Sequence, residues 1–491
     1  MTVNLEVWDE DLPPETPEEQ YQTLVRSLRR RQGFGLLFVR CSPADGKLLV
    51  ERVRQDLPQK QIEVLPLDQP IKNLYDLVAG LPNPEQINIL FIEGLENSLY
   101  QYEAEKLQQG WETGETHAYS MRGVPPILRH LNQHRERFRD DFNICFVFLL
   151  RSFALKYFIH RAPDFFDWRS AELKIPLEQQ RWEQESTRII LEGDYEKYLN
   201  LSPEEQAKKL LEIRELLAEE HQAPNNRANL WFEQGNLLHA AQEYEGSIAS
   251  YDQGVKFKPD YHEAWNNRGI SLNNLGRYEE AIASYDQAVK FKPDDHEAWN
   301  NRGISLNNLG RYEEAIASYD QAVKFKPDYH EAWYNRGYSL DDLGRYEEAI
   351  ASYDQAVKFK PDYHEAWNNR GYSLNNLGRY EEAIASYDQA VNFKPDFHLA
   401  WNNRGNSLDN LGRYEEAIAS YDQAVQFKPD YHLAWYNKAC SYALQNQVDL
   451  AIENLQQAIK LNPEKYLEMA KTDSDLDNIR SDERFQALLR I

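Results

Sequence analysis

A tryptophan recurs every 34 residues in the C-terminal half of this 491-residue chain. The seven positions are Trp231, Trp265, Trp299, Trp333, Trp367, Trp401 and Trp435. A fixed period of this length is typical of stacked helical repeats, because one helix pair cannot bury its apolar face without neighbouring pairs. Residues 262–294 and 296–328 are identical, which indicates duplication of one structural unit. The period therefore predicts an all-α array with a repetitive surface.

Each unit contains two helical patterns separated by a glycine turn. Trp265 and Gly269 lie on one stripe of a first helix, and Gly276 is suited to its left-handed cap. The apolar residues that begin at Tyr278 predict a second helix. Glycine inside a helix costs about 1 kcal/mol relative to alanine. We expect close approach of the second helix at Ala281 to offset that cost.

Small residues facing each other between two short helices, with Trp, Tyr and Pro at these offsets, resemble the tetratricopeptide repeat (TPR) family. The resemblance covers seven units over residues 227–466. It implies a right-handed superhelix of helix pairs that binds a protein or peptide in a concave groove. The seventh unit departs from the pattern, with Ala439 in place of glycine and Leu455 in place of tyrosine. Residues 467–491 are predicted to form helices that cap it.

Helix geometry predicts which side chains of the first helices face a ligand. At 100° per residue, the positions one, two, five, eight and nine places after tryptophan point away from the core stripe. Asparagine occupies the second place in six consecutive units, at Asn267, Asn301, Asn335, Asn369, Asn403 and Asn437. Because an asparagine amide pairs with peptide N–H and C=O groups, this row predicts a ladder that grips peptide backbone. It resembles the asparagine ladder in the TPR region of O-linked glycosyltransferases.

Tyrosines in the middle of the array are further candidate binding residues. Tyr334, Tyr338 and Tyr372 occupy the first or fifth place after tryptophan, where their rings are predicted to hold apolar or cationic side chains. Duplication alone is the alternative explanation of the asparagine row, but it does not explain why amides fill a ligand-facing position. The arginines three places after tryptophan lie between the core stripe and the groove, and their direction stays open.

Residues 1–172 alternate short β-rich runs with helical patterns. The predicted strands are Gly33–Ser42, Gln61–Asp68, Ile87–Glu93 and Asn143–Leu150, with a fifth near Leu173–Leu177, and helices are predicted at about 45–56, 71–79 and 124–138. Apolar strands separated by helices predict an α/β domain with a parallel sheet covered on both faces. Residues 173–226, rich in long charged side chains, are predicted to form a helical bridge to the repeats.

The loop after the first predicted strand partly matches the phosphate-loop pattern G-x-x-x-x-G-K-[ST]. Gly46 and Lys47 fit, whereas Cys41 replaces the first glycine and Leu48 replaces the hydroxyl that holds Mg²⁺. With Glu93 ending the third strand, the layout resembles the AAA+ and STAND branches of the P-loop NTPases over roughly residues 20–172. The resemblance implies ATP on Lys47 with Glu93 near its Mg²⁺. The lost positions favour a degenerate domain that binds no cofactor and serves interaction or oligomerisation.

Composition and charge exclude other classes of protein. The net charge of −25 argues against a general nucleic-acid binder. Residues 227–491 contain 42 acidic and 28 basic side chains and would attract a basic partner, although acidic exteriors also serve solubility. The three cysteines form no metal or redox pair, and the longest apolar run is about half the ~20 residues that span a bilayer. We expect a cytoplasmic protein that contacts neither membrane nor nucleic acid.

The leading hypothesis is a non-enzymatic scaffold whose repeats bind an extended, basic or repetitive protein segment. The first alternative is a signalling NTPase, in which the repeats sense a ligand and the N-terminal domain switches on nucleotide. The second is a structural adaptor whose N-terminal domain dimerises. The sequence predicts no particular oligomeric state.

Overall fold

The computed structural model describes residues 16–108, 123–174, 179–218 and 223–489. Two compact units divide the chain, Met1–Ser271 and Leu272–Ile491. The first unit contains a β-sheet, the helices that follow it and the first helix pair of the array. The boundary falls within the helix His262–Asn274, and the second unit contains the helices that follow it. No helix in the described ranges combines the length and the apolar character needed to cross a membrane.

The parallel sheet predicted for the N-terminal region is present. Its strands are β1 Gly35–Arg40, β2 Ile62–Pro66, β3 Ile89–Glu93, β4 Cys145–Leu150 and β5 Ala171–Lys174. Neighbouring strands run parallel in the order β2-β3-β4-β1-β5. β1 and β4 are almost fully buried, as expected of apolar strands covered on both faces. Because parallel strands end at a common edge, Cys41, Glu93 and Arg151 lie along one edge of this sheet.

Helices cover the sheet on both faces. They are α1 Pro17–Arg30, α2 Pro43–Asp56, α3 Leu74–Ala79, α4 Glu96–Gln108, α5 Pro126–Asp141, α6 Ser152–Arg161 and α7 Pro163–Phe166, with a 3₁₀ helix at Pro84–Gln86. One face is rich in phenylalanine, and the ring of Phe38 lies 5.2 Å from the rings of both Phe148 and Phe158. On the other face, Leu28 of α1 and Val53 of α2 belong to a second buried cluster.

Three further helices form the predicted bridge. They are α8 Gln179–Glu192, α9 Tyr195–Leu199 and α10 Pro203–Leu217. α10 begins with a capping box, in which the Ser202 hydroxyl accepts from the Glu205 amide and the Glu205 carboxylate accepts from the Ser202 amide. The hydroxyl of Tyr198 donates to the carboxylate of Glu233 at 2.8 Å, so the bridge is bonded to the first helix of the array.

The array consists of helix pairs, as the sequence predicts. The pairs are α11 Pro224–Ala240 with α12 Tyr244–Phe257, α13 His262–Asn274 with α14 Tyr278–Phe291, α15 His296–Asn308 with α16 Tyr312–Phe325, α17 His330–Asp342 with α18 Tyr346–Phe359, α19 His364–Asn376 with α20 Tyr380–Phe393, α21 His398–Asn410 with α22 Tyr414–Phe427, and α23 His432–Leu444 with α24 Val448–Leu461. We call the two members of each pair the first helix and the second helix.

The turn between the two helices has one backbone form. Gly310 has a φ of +72°, and the amide of Arg311 donates to the carbonyl of Leu306 at 2.9 Å. This is the left-handed helix cap in which glycine is favoured. The first and last pairs lack the glycine, and Gln242 and Asn446 adopt φ values of +61° and +60° instead.

The glycine inside each first helix lies against a tyrosine ring. A Cβ added to Gly371 would lie 2.7 Å from a ring carbon of Tyr387, and Gly303, Gly337 and Gly405 face equivalent rings. The sequence pattern predicted close approach of the second helix at an alanine such as Ala281. Within the second unit, the atoms nearest to these glycines belong to the tyrosine of that helix. The ring takes the space because the tyrosine side chain reaches further than the alanine methyl group.

Six of the seven repeat tryptophans bond their first helix to the preceding turn. The indole of Trp333 donates to the carbonyl of Pro327 at 2.9 Å, and the bond recurs from Trp265 to Trp435.

After α24, the helix α25 Pro463–Thr472, a 3₁₀ helix at Ser474–Ile479 and α26 Glu483–Leu488 pack on the last pair. Tyr466 and Phe485 from these final helices are fully buried there.

Candidate functional site

The asparagines two places after tryptophan bond across to the preceding repeat. The amide nitrogen of Asn335 donates to the side-chain oxygen of Asn300 at 3.1 Å. The same donation joins Asn267 to Asn236, Asn369 to the Tyr334 hydroxyl, Asn403 to Asn368 and Asn437 to Asn402. All six members of the row, Asn301 included, are partly buried. One amide hydrogen of each bonded asparagine is therefore engaged within the array.

The residues one place after tryptophan lie inside the array. Asn300 and Asn402 are 4% and 1% exposed, and Asn266 and Asn368 are also buried. The helical wheel had placed these positions toward the ligand, and that prediction was wrong because the neighbouring repeat covers them. Tyr334 occupies the same position and is partly buried, with its ring 4.9 Å from that of Tyr363.

The fifth and ninth places after tryptophan remain open to solvent in the middle of the array. Tyr338 and Tyr372 are 45% and 48% exposed. Asp342 and Asn376, four residues later on the same helices, are also exposed. The Asp342 carboxylate, aided by partial burial, raises the pKa of the Tyr338 phenol, so the two groups lie close together. Places two, five and nine share one helical stripe, which we call the first-helix face.

The repeated arginines do not point to the first-helix face. Arg336 donates through Nε to Asp320 at 2.7 Å and through Nη1 to Ser352 at 2.6 Å. It thereby joins the second helices of two successive repeats. Equivalent pairs with aspartate recur at Arg268, Arg302, Arg370 and Arg404, and Lys438 pairs with Asp422. The sequence left the direction of these arginine side chains open, and in the structure they point toward the second helices.

A second polar row joins the first helices of neighbouring repeats. The Ser305 hydroxyl donates to the side-chain oxygen of Asn273 at 2.9 Å, and Ser339 and Ser407 repeat the bond to Asn307 and Asn375. In two repeats the acceptor is an aspartate, Asp341 or Asp409. Burial raises the pKa of each carboxyl to about 6, against hydrogen bonds that lower it.

At the edge of the sheet, Gly46 and Lys47 lie within a helix. α2 begins at Pro43, and the amides of Asp45 and Gly46 donate to the hydroxyl and the carbonyl of Ser42. A Cβ added to Gly46 would lie 3.0 Å from Leu149, so this glycine packs on the sheet. These two amides are therefore satisfied within the chain, whereas a phosphate loop presents free amides to its ligand. Lys47 is exposed.

Carboxylates surround the rest of that edge. Glu93 ends β3, Glu96 begins α4, and both raise the pKa of the Cys41 thiol in addition to the larger effect of its burial. Glu96 accepts from the amide of Arg151 at 2.8 Å. A nucleotide polyphosphate placed here would face several negative charges. The geometry therefore favours the binding of ATP and Mg²⁺ less than the presence of Gly46, Lys47 and Glu93 in the sequence suggests.

Arg151 is bonded to the bridge. Its guanidinium lies 3.3 Å from the carboxylate of Glu215 and 3.7 Å from that of Glu212, both on α10. Glu215 also accepts from the amide of Phe153 in the first turn of α6. Burial raises the pKa of both Glu96 and Glu215, while Arg151 opposes that change. Arg151, which directly follows β4, is thus paired with carboxylates of the same chain.

Among the described residues, one group has the composition of a metal site. Ligand atoms of Cys440, Asp473 and Asp475 lie within 4.8 Å of one another. The hydroxyl of Tyr436 donates to Asp473 at 2.6 Å, and burial raises the pKa of the Cys440 thiol well above its usual range. Since thiolates and not thiols bind metals, we assign no ion to this group.

Comparison with protein families decides the nature of the array. A model described as "Tetratricopeptide repeat" matches residues 225–296, 268–330, 300–364 and 334–396, and a second model of that description matches 398–431 and 432–465. These segments are tetratricopeptide repeats. Neither model matches residues 1–224. TPR domains generally mediate protein–protein interaction and are typically not catalytic.

The chain is similar, at low identity, to solved structures of other proteins. A structure of YrrB, described as a TPR protein with an unusual peptide-binding site, is 23% identical, with 38% of this chain and 97% of that chain covered and a TM-score of 0.34. A MamA fragment from Desulfovibrio magneticus has 20% identity, 35% and 96% coverage and a TM-score of 0.33. A TPR protein from Parabacteroides merdae has 16% identity, 54% and 97% coverage and a TM-score of 0.38. Comparison with curated proteins gives no match.

The two partly buried aspartates, Asp341 and Asp409, make the stability of the TPR array depend on pH. A carboxyl whose pKa is raised on folding stabilises the fold below pH about 4, and that contribution is lost as the pH rises through about 6. We expect Asp341→Asn with Asp409→Asn to stabilise the protein at pH 7 by roughly 1 kcal/mol per site, after allowance for partial exposure. At pH 4 the gain should vanish. Urea unfolding at both pH values measures the difference.

Asp342→Asn is the matched control for these variants, because that carboxylate neighbours Asp341 but is exposed. Asn273, Asn307 and Asn375 fill the position equivalent to Asp341 and Asp409, so the substitutions Asp341→Asn and Asp409→Asn fit the fold. The other charged or titratable neighbours are Tyr353 near Asp341, and Tyr421 and Asp475 near Asp409. A gain of equal size at pH 4 and pH 7 would contradict the buried-carboxylate explanation.

Two residues of the bridge were missed by the sequence reasoning. Glu212 and Glu215 lie in a run of long charged residues, where nothing local distinguishes a buried carboxylate from a solvated one. A weak signal was present, because Leu211 and Leu216 beside them are apolar and α10 therefore had to bury one face. Which acids lie beside that face depends on the partner surface.

Proposed function

We propose that the TPR array binds an extended protein segment along the first-helix face and performs no chemistry. The observation that carries the proposal is the pair of half-exposed tyrosines, Tyr338 and Tyr372, in successive repeats. Aromatic side chains are enriched among the residues that dominate binding energy at protein interfaces. Their neighbours on the same stripe are amides and a carboxylate, which suit a peptide's polar backbone and side chains.

The spacing of the repeats suits an extended ligand. Equivalent positions in neighbouring helix pairs lie roughly 10 Å apart, as packed helices do. An extended chain advances about 3.3 Å per residue, so every third ligand residue meets an equivalent position of the array. Tyr338 and Tyr372 would then contact ligand side chains three residues apart.

The asparagine row contributes fewer hydrogen bonds to a bound peptide than the sequence suggests. Asn335 and Asn369 each use one amide hydrogen to bond the preceding repeat. A side-chain amide has two hydrogens and an oxygen acceptor, and the oxygen of Asn369 already accepts from Asn368 at 3.0 Å. The row can therefore add single hydrogen bonds to a ligand, while the tyrosines supply most of the contact area.

Charge favours a basic segment. Asp342 is exposed beside Tyr338, so a lysine or arginine there would meet both a carboxylate and an aromatic face. The acidic excess of residues 227–491 would speed association with such a segment. We expect its affinity to fall as ionic strength rises, because exposed charges are screened within about 10 Å at 0.1 M salt.

A peptide selection tests this function. Twelve-residue peptides would be selected from a random displayed library on the full-length protein, and the best would be measured by fluorescence anisotropy. We expect Tyr338→Ala with Tyr372→Ala to weaken binding about 30-fold, roughly 2 kcal/mol, because two exposed aromatic anchors are lost.

The matched control is Phe325→Ala with Phe359→Ala, which removes two rings of 39% and 38% exposure from the ends of second helices. Binding should be unchanged in this variant. Equal losses of affinity in both variants would mean that the selected peptides bind exposed aromatic rings without specificity. If no selected peptide distinguishes the tyrosine variant from the unaltered protein, the proposed surface is wrong.

The nucleotide-switch alternative is less well supported. The amides at the start of α2 are bonded to Ser42, and Arg151 is paired with Glu215. This alternative requires saturable binding of ATP or ADP that is lost in Lys47→Ala, which calorimetry with and without Mg²⁺ would detect. The adaptor alternative requires self-association through residues 1–172.

A further inference from the structure

A cleft of about 480 Å³ lies in the α/β region, away from the residues discussed so far. Its lining residues are Ser27, Arg30, Arg31, Gln32, Leu37 and Ser170. Arg31 and Gln32 precede β1 and Ser170 precedes β5, so the cleft lies toward the amino ends of these strands. Lys47, Glu93 and Arg151 follow the opposite ends. The volume is within the ~300–1,000 Å³ typical of sites for small ligands.

The cleft is positively charged within an acidic protein. None of the described residues that line it is an aspartate or a glutamate. Neither Arg30 nor Arg31 has an ion pair with any residue in the described segments, whereas exposed arginines nearby do, as Arg52 with Glu18 at 2.8 Å. The ammonium group of Lys60 donates to the carbonyl of Arg31 at 2.9 Å and adds a third cation to this corner.

The backbone accommodates one of these arginines closely. A Cβ added to Gly35 would lie 3.0 Å from Nε of Arg31, so the side chain runs along the backbone where glycine leaves room. This contact limits the positions open to the guanidinium. A cationic group that is held in place loses less conformational entropy when it binds.

We propose that this cleft binds a small oxyanion of two negative charges, a phosphate group either free or attached to a small organic molecule. Guanidinium groups present paired N–H donors that match the oxygens of phosphate. A phosphate ester carries about −1.5 to −2 charges at pH 7, which the two arginines balance. Gln32 and Ser170 at the exposed rim add polar contacts, and the buried Leu37 gives an apolar floor.

A purely structural role for the arginines makes a different prediction. Cations near the last turn of a helix interact favourably with its dipole, and Arg29 and Arg30 both lie in the last turn of α1. That role applies equally to both residues. Only Arg30 lines the cleft. Arg29 is therefore the matched control for a binding role.

The test uses the full-length protein with inorganic phosphate and with ribose 5-phosphate, each measured by calorimetry at low ionic strength. We expect saturable one-to-one binding of at least one probe, at least tenfold weaker in Arg30→Gln with Arg31→Gln and unchanged in Arg29→Gln. Binding of both probes identifies the phosphate group itself as the ligand. Binding of ribose 5-phosphate alone identifies an organic phosphate.

Two further variants keep the outcome decisive. Ser170→Asp places a carboxylate at the exposed rim and should abolish binding without disturbing the core. Lys47→Ala lies at the opposite end of the strands and should bind phosphate as the unaltered protein does. Absence of saturable binding, full binding in the Arg30/Arg31 double variant, or loss of binding in Lys47→Ala would each overturn the proposal.

Discussion

Replacing Arg151 with methionine should lower the free energy of unfolding by about 3–5 kcal/mol. The guanidinium is the charge partner of Glu215 and Glu212, whose side chains are only 13% and 12% exposed. Removing one member of a buried ion pair leaves the other charge without compensation, and that loss exceeds the net value of the pair. Urea unfolding of the full-length variant gives the magnitude. Hydrogen exchange in α6 and α10 should show where protection is lost.

Arg137→Met is the control for the arginine substitution. Its guanidinium lies 3.8 Å from Asp141 with both side chains about half exposed, so the change should cost less than 0.5 kcal/mol. Adding Glu215→Gln to Arg151→Met should restore part of the stability, because it removes one uncompensated charge. If the Arg151→Met protein were as stable as the control, solvent would have to reach the carboxylates of Glu212 and Glu215. Their contact with Arg151 would then not be a buried ion pair.

Substituting alanine for Gly371 should destabilise the array by about 1–2 kcal/mol. The new Cβ would lie 2.7 Å from the Tyr387 ring, which is only 1% exposed and has no free space to move into. Overpacking of a filled core costs about 1–3 kcal/mol. The higher helix propensity of alanine returns about 1 kcal/mol at most. Loss of hydrogen-exchange protection in α19 and α20, together with urea unfolding, measures the effect.

The chain itself contains the matched compensation. In the last repeat Ala439 replaces this glycine, and Leu455 replaces the tyrosine. Gly371→Ala with Tyr387→Leu should therefore be less destabilising than the sum of the two single changes, by at least about 1 kcal/mol. Gly378→Ala separates packing from backbone conformation, because its Cβ meets no atom within 4 Å but its φ is +73°. Strict additivity of Gly371→Ala and Tyr387→Leu would refute the steric explanation.

Strong local signals explain what the sequence predicted well. The helix pairs begin and end within a residue or two of the predicted positions, because turn glycines such as Gly276 and closing prolines such as Pro293 recur with the same spacing. The strands were equally evident, since continuous apolar runs bounded by polar residues favour buried parallel strands. β1 occupies the interior of the predicted run Gly33–Ser42.

Side-chain directions were harder to predict, because a helical wheel treats each helix in isolation. It placed Asn300 and Asn335 on the same ligand-facing side. In the fold, the next repeat covers Asn300 and uses Asn335 to bond it. Only the positions furthest from the neighbouring helices, including Tyr338 and Tyr372, keep their predicted exposure.

The pairing of Arg151 with Glu212 and Glu215 had only a weak local signal in the sequence. Its partners lie 61 and 64 residues later in the chain, and both belong to a stretch whose composition resembles any solvated helix. The early start of α2 was similarly hidden. Pro43 is favoured in the first turn of a helix and Ser42 before it caps the chain, so Gly46 became helical. The phosphate-loop match required a loop at Gly46, whereas the helical pattern predicted from about residue 45 agrees with α2.

The bonds between neighbouring repeats have the same donors on one side and the same acceptors on the other. Ser339 bonds Asn307 as Ser305 bonds Asn273, and Arg336 and Arg370 bond aspartates of the preceding repeat in the same way. Removing residues 296–329 would therefore present Ser339 with Asn273 and leave no group without its usual type of partner. The fold specifies the pitch of the array but not its number of repeats. Recombination between identical stretches can lengthen or shorten such a protein, and with it the reach of its binding face, while every interface is kept.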